Sequence, residues 1–280
     1  MEYQVPVLSI IFMAIVVVSG IALTLFLFFL FRKKYKADIL PFFIGCAVFV
    51  VFALLIEGTI NHFILTSSLG TKIQANFWLY GIFGGLMAGL FEETGRFTAF
   101  KTVLKKKLSR NENALMYGAG HGGIEALFIL SLSMINNLVV SVMLNNGNAA
   151  ALTANITNQS QLDTMNATFS ALASTPSFTF LLSIVERIPA VAMHIAWSVL
   201  VWQAAKYSKR LWLYPLAIAM HAFIDAISVI LHQFGVSIGL ILFGIYVFAG
   251  ISVAFTVYIW KKDVPAVKSE EVILPSIPKN

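Results

Sequence analysis

Charge is scarce in this chain, and cysteine occurs once. Only 11% of the 280 residues are charged, where a soluble domain carries about 25%. A chain that is 59% hydrophobic has too little polar surface to cover itself in water, which excludes an ordinary soluble domain and points to one apolar bundle in lipid. Cys46 stands alone, so no intrachain disulfide can form and cysteine carries no information about compartment. Met1 to Pro6 contains no Lys or Arg. Signal-peptide cores are about 7–15 residues long and follow a basic segment. The first apolar run, about 5–31, therefore reads as a retained span.

What is present is a series of long apolar runs. A transmembrane helix needs roughly 20 such residues. Seven runs qualify, at about 5–31, 39–65, 76–102, 113–145, 176–205, 211–232 and 237–260. The expectation is an all-α integral membrane protein, a bundle of about seven helices with residues 1–262 as a single polytopic domain and 263–280 as a disordered cytoplasmic tail. The net charge of +6 is not a nucleic-acid footprint, because 16 of the 19 Lys and Arg residues fall in alternate loops and the C-terminal tail. Positive charge stays cytoplasmic, which puts the N-terminus outside and the C-terminus inside. The outer loop near 146–176 holds three Asn-x-Ser/Thr triplets at Asn155, Asn158 and Asn166, a number that chance explains in so Asn-rich a segment.

Six carboxylates nevertheless fall inside the spans: Glu57, Glu92, Glu93, Glu125, Glu186 and Asp225. Arg96, Arg187, His121, His194 and His221 accompany them. A charge at mid-bilayer costs on the order of 2.5–3.5 kcal/mol on insertion scales, so such groups face a bundle interior and mark function by default. Residues three or four apart share a helix face. Glu92 with Arg96, His121 with Glu125, and His221 with Asp225 are such pairs. Arg187 and His194 are seven apart, again on one face. Four polar stripes converge on one chamber if the helices turn them inward. A lone Glu–Arg pair is more often a device for fixing helix register, but three histidines with several carboxylates exceed what register requires. Glu57, with Asn61 four residues on, reads as structural, and His62 and His232 fall at the outer interface. The stretch Gly118-Ala119-Gly120-His121-Gly122-Gly123 lacks the Lys-Ser/Thr of a phosphate loop. In a membrane helix such small residues admit a close neighbour, here beside His121. Pro189 is expected to kink the fifth span.

This inventory suits amide hydrolysis. A glutamate activates water, histidines orient it or donate to the oxyanion, and an aspartate four residues from a histidine fixes that ring. Glu92-Glu93-Thr94-Gly95-Arg96, Tyr117-x-x-x-His121 and His221-x-x-x-Asp225 resemble, in order and on separate spans, the three motifs of the CAAX-endopeptidase/bacteriocin-processing superfamily. EETGR, GHGGIE and HAFID look most like the YhfC family of predicted glutamic-type intramembrane proteases. The EExxR spacing is one residue shorter than the superfamily's EExxxR and close to the EExxK of PrsW proteases. The third motif ends in Asp rather than Asn. The resemblance implies an intramembrane endopeptidase of a bacterial cytoplasmic membrane, cutting a membrane protein or membrane-associated peptide. Glu92 and Glu93 would activate water, with Arg96 holding one of them. His121 would position that water, and His221, backed by Asp225, would stabilise the oxyanion. His194 and Glu125 would support these. No metal is required on this reading.

Three other readings stay open. One is a zinc protease with His121, His194 and His221, together with one Glu, as ligands, converging from separate helices in place of an HExxH motif. The second is a proton-coupled transporter, which the absence of an inverted repeat disfavours. The third is an inactive immunity or scaffold protein.

Overall fold

The computed structural model describes residues 3–262, so the expected tail at 263–280 lies outside the described residues. The described chain is helical and contains no strand. We label the helices α1 (Val7–Lys33), α2 (Leu40–Leu65), α3 (Ser68–Gln74), α4 (Phe77–Lys101), α5 (Glu112–Asn145), α6 (Gln159–Ser174), α7 (Leu182–Lys206), α8 (Leu213–Gln233) and α9 (Ile238–Lys261). Two of them contain π-helical stretches, Phe49–Glu57 in α2 and Leu127–Leu132 in α5. Wider turns of this kind recur at functional sites. Pro189 lies inside α7.

Six segments are long and apolar enough to cross a bilayer: α1, α2, α5, α7 with its short 3₁₀ lead-in, α8 with its own, and α9. The seventh expected span is α4. It has the length, 25 residues, or about 38 Å at 1.5 Å per residue. What sets it apart is charge, because Glu92, Glu93, Arg96 and Lys101 all lie on it. Its polar face is therefore the part of the chain most dependent on burial by neighbours. Outward-facing positions elsewhere are apolar, including Val18, Phe26, Phe63, Leu240 and Phe243, as lipid contact demands.

The chain divides into two compact units. The first holds residues up to Leu25 together with Glu125–Ile188. Its core joins Val5, Met13, Leu144, Phe169, Leu172 and Phe180. Asn145 ties down the chain start by accepting from the Val5 N–H at 2.7 Å and donating to the Val5 carbonyl at 2.9 Å.

The second unit holds Phe26–Ile124 and the chain from Pro189, and it contains every residue of the site. Lipid supplies no hydrophobic force between helices, so close backbone approach does the packing. Gly81, Gly85 and Gly89 of α4 recur every four residues and lie against Ala222, Ala226 and Ile230 of α8. A Cβ on Gly89 would stand 2.7 Å from the Ile218 carbonyl. This contact places α4 and α8 so that their charged faces meet. Gly85→Leu is expected to lower stability by about 3 kcal/mol or more by overpacking. Gly84→Leu, one residue earlier and facing open space, should change stability by less than about 0.5 kcal/mol. Denaturant-induced loss of helicity in mild detergent measures both.

On the loop side, Asp38 joins the segment before α2 to the basic turn before α5. It accepts from Lys107 at 2.9 Å and from Arg110 at 2.6 Å. The hydrogen bond from Lys107 holds its carboxyl below the usual carboxylate range, against partial desolvation.

Candidate functional site

The Gly-rich start of α5 sets the position of His121. A side chain at Gly118 would meet the Ile195 Cα at 2.6 Å, and one at Gly122 would meet the His194 Cβ at 3.1 Å. A Cβ on Gly45 of α2 would stand 2.8 Å from the His121 backbone nitrogen. Without side chains in the way, α5 seats against α2 and α7 at the height of the histidines.

Four helices then converge as their spacing suggests. Glu92, Glu93 and Arg96 come from α4, His121 from α5, His194 from α7, and His221 with Asp225 from α8. All except Asp225 are buried. Arg96 Nη1 donates to both Glu93 oxygens, and its Nη2 lies 3.3 Å from His194 Nδ1. His221 Nδ1 donates to Glu93 Oε1 at 3.0 Å. His121 Nε2 donates to Glu92 Oε2 at 2.8 Å, and His194 Nδ1 lies 3.9 Å from that same oxygen. The two adjacent glutamates thus have different surroundings. Glu93 is paired directly with a guanidinium, whereas Glu92 is hydrogen-bonded by the His121 imidazole and has His194 close by. Asp225 Oδ2 is 3.4 Å from His221 Nε2, and its side chain is 43% exposed.

Aromatic rings wall the histidines. Trp197 lies 4.7 Å from His221 and 5.7 Å from His194, between ring centroids. Phe49, the first residue of the π-helical stretch of α2, is 5.4 Å from His121. Tyr117, the aromatic of the second motif, is 6.0 Å from His121. Neither Trp197 nor Phe49 was singled out from the sequence. Trp197 had a legible signal, three residues after His194 and so on the same face, but Phe49 had none.

Other expected members stand differently. Glu125 is bound at 2.6 Å by Arg187, which also pairs with Glu186. All three residues belong to the first unit, where Glu125 and Glu186 flank the Arg187 guanidinium. Glu57 accepts from Asn61 at 3.1 Å, the structural contact expected. It also lies within electrostatic reach of His221 and Asp225, a proximity its sequence position did not reveal.

Among the described residues, Glu92, His194 and His221 each offer a ligand atom, and these atoms all lie within 4.8 Å of one another. Two histidines and a glutamate make a donor set found at catalytic zinc. Zinc ligands at about 2.0–2.1 Å in a tetrahedron are roughly 3.4 Å apart, so a contraction of at most about 1.4 Å closes the set. The residues present fit a divalent cation. The group holds two of the three histidines and the one Glu that the zinc reading supposed. His121 is not in it and directs its Nε2–H at Glu92 instead.

A family described as the YhfC intramembrane metalloprotease matches residues 18–247, a range that includes every residue of this cluster. The "Uncharacterized membrane protein YhfC" of Bacillus subtilis (strain 168) is 35% identical over 230 residues, covering 81% of this chain and 86% of that protein. No solved structure matches. The family's description carries a metal, whereas the motif resemblance implied a glutamate-activated water without one. On these matches, the chain belongs to the family described as the YhfC intramembrane metalloprotease.

Proposed function

We propose that this multi-pass membrane protein is a metal-dependent intramembrane endopeptidase, cutting a membrane protein or a membrane-associated peptide. The observation that carries the reading is the buried donor set of Glu92, His194 and His221, within a family described as metalloproteases. Glu92, His194 and His221 hold the cation, most simply zinc. A bound divalent cation supplies Lewis-acid polarisation of the scissile carbonyl and an acidified water.

The remaining chemistry belongs to the side chains. Glu93 accepts from His221 Nδ1 and so fixes the ring with Nε2 left as its ligand atom. Carboxylates behind ligand histidines commonly serve in this way. Arg96 keeps Glu93 ionised. Asp225 is the one carboxylate of the cluster that is not buried, and beside His221 it stands where it can accept a proton from attacking water. The proton that Asp225 takes from water is the one the leaving amine then requires, and His121, with Nε2–H directed at Glu92, holds that carboxylate in place. Trp197 and Phe49 keep bulk water from the rings and strengthen each polar contact. The order of the three motifs, shared with the CAAX-endopeptidase/bacteriocin-processing superfamily and close to PrsW proteases, supports amide hydrolysis. The seven-span arrangement with an outer N-terminus is part of the same proposal, with α4 as the seventh span and a bacterial cytoplasmic membrane as the location.

The test compares the N-termini of membrane proteins in cells carrying wild type or Glu92→Gln at matched expression. New N-termini dependent on Glu92, lost with a zinc chelator and restored by zinc, are the expected result. Glu92-dependent cleavage that ignores chelation would establish the metal-free glutamic mechanism instead. No Glu92-dependent cleavage under any growth or stress condition would move the protein to transport or immunity.

A further inference from the structure

His194 cannot ligate a metal and keep its present contact with Arg96. The contact joins Arg96 Nη2 and His194 Nδ1 at 3.3 Å. A guanidinium only donates, and it stays protonated in proteins. His194 Nδ1 therefore accepts, with its lone pair directed at Arg96, and a neutral ring then carries its proton on Nε2. A cation needs a ring lone pair. At Nδ1 it would take the pair that Arg96 now holds. At Nε2 it would require the other tautomer, whose Nδ1–H would point at an Arg96 N–H. Both routes break the contact.

We infer that Arg96 is a positioning residue for the metal that competes with the cation for His194, so that the Arg96–His194 contact and ligation by His194 exclude each other. This inference rests on the metal-dependent reading. The exchange balances without proton transfer when the cation enters at Nδ1. The lone pair passes from a hydrogen bond to the cation, Nε2 keeps its proton, and Arg96 keeps its charge. Arg96 is not left stranded, because Nη1 still binds both Glu93 oxygens. The same guanidinium thus has two duties. Its Nη1 neutralises the carboxylate that orients His221, and its Nη2 competes with the cation for His194. The first duty needs only a positive charge, and the second needs the guanidinium's second branch.

Arg96→Lys separates them. A lysine keeps the charge beside Glu93 but has no second branch to reach His194. Zinc affinity of the full-length protein in mild detergent, read by competition with a chromophoric chelator, should rise about tenfold in Arg96→Lys, the scale of one charge-assisted hydrogen bond. Equal or weaker binding by a folded Arg96→Lys would overturn the inference, because loss of an ordinary structural contact does not tighten metal binding. Should that variant fail to fold, ring ¹⁵N shifts of His194 in metal-free wild type decide. An Nε2–H tautomer supports the inference, and an Nδ1–H tautomer overturns it. A wild type that binds no zinc brings down the metal reading and the inference together. A wild type that binds zinc beside an Arg96→Lys that binds no tighter brings down the inference alone.

Discussion

Purified His221→Ala is expected to carry no stoichiometric zinc and to cleave membrane substrate about 10³-fold more slowly than wild type, or not at all. The magnitude follows from what a catalytic metal contributes, several kcal/mol of transition-state stabilisation, at about 1.4 kcal/mol per factor of ten. His221 is the residue where the largest loss is expected, because three functions pass through its ring. It is one of three donors in the cation group, its Nδ1 anchors the buried Glu93, and its Nε2 faces Asp225. His194→Ala and Glu92→Gln should lose the metal as well. His232→Ala is the matched control, exposed near the end of α8, and should leave zinc content and cleavage at wild-type levels. Elemental analysis of the purified proteins, with cleavage measured on the same samples, checks all four. If His221→Ala keeps a full equivalent of zinc, the donor set is wrong. If it loses zinc and cleaves normally, the chemistry is the glutamates' own.

The membrane fold was legible because its signals are local. Length and apolarity define a span residue by residue, and the expected boundaries coincide closely with α1, α2, α4 and α9. The count was the weak point, and α4 shows why. The charges that make it functional, Glu92, Glu93 and Arg96, also lower its apolarity below that of the other six. The composition of the site was legible by the same local logic, since intramembrane charges and i to i+4 spacing need no partner to be seen. Its pairings were not. Whether His121 or Glu92 joins His194 and His221 depends on helix rotation, and rotation is fixed by contacts such as Gly118 on Ile195 and Gly122 on His194. Each such contact links residues more than seventy positions apart. Glu125 illustrates the other side of this limit. It shares a face with His121 by spacing, yet it pairs with Arg187, and both of these belong to the first unit while His121 belongs to the second. The division into units falls at that very point of α5, between Ile124 and Glu125.

The largest effect on stability is expected at Arg96. Arg96 and Glu93 are both fully buried, and each is the other's charge partner. Removing one member of a buried pair leaves the second uncompensated and costs about 3–5 kcal/mol. Arg96→Met is therefore expected to lower the unfolding free energy in mild detergent by that amount, which is a large share of a typical protein's 5–15 kcal/mol. Glu93→Gln in the same chain should recover most of it, because a neutral amide needs no counter-charge and can still accept from His221 Nδ1. The double variant should nonetheless cleave poorly. A carboxylate behind His221 strengthens that ring as a ligand, and losing such a partner typically costs 10–100-fold in metal affinity or activity. Stability regained with activity still lost would identify the Glu93–Arg96 pair as a functional element kept at a stabilising minimum. Equal stability in single and double variants would instead mean that Glu93 becomes neutral on its own when Arg96 is gone, so that the chamber tolerates a protonated acid in place of an ion pair.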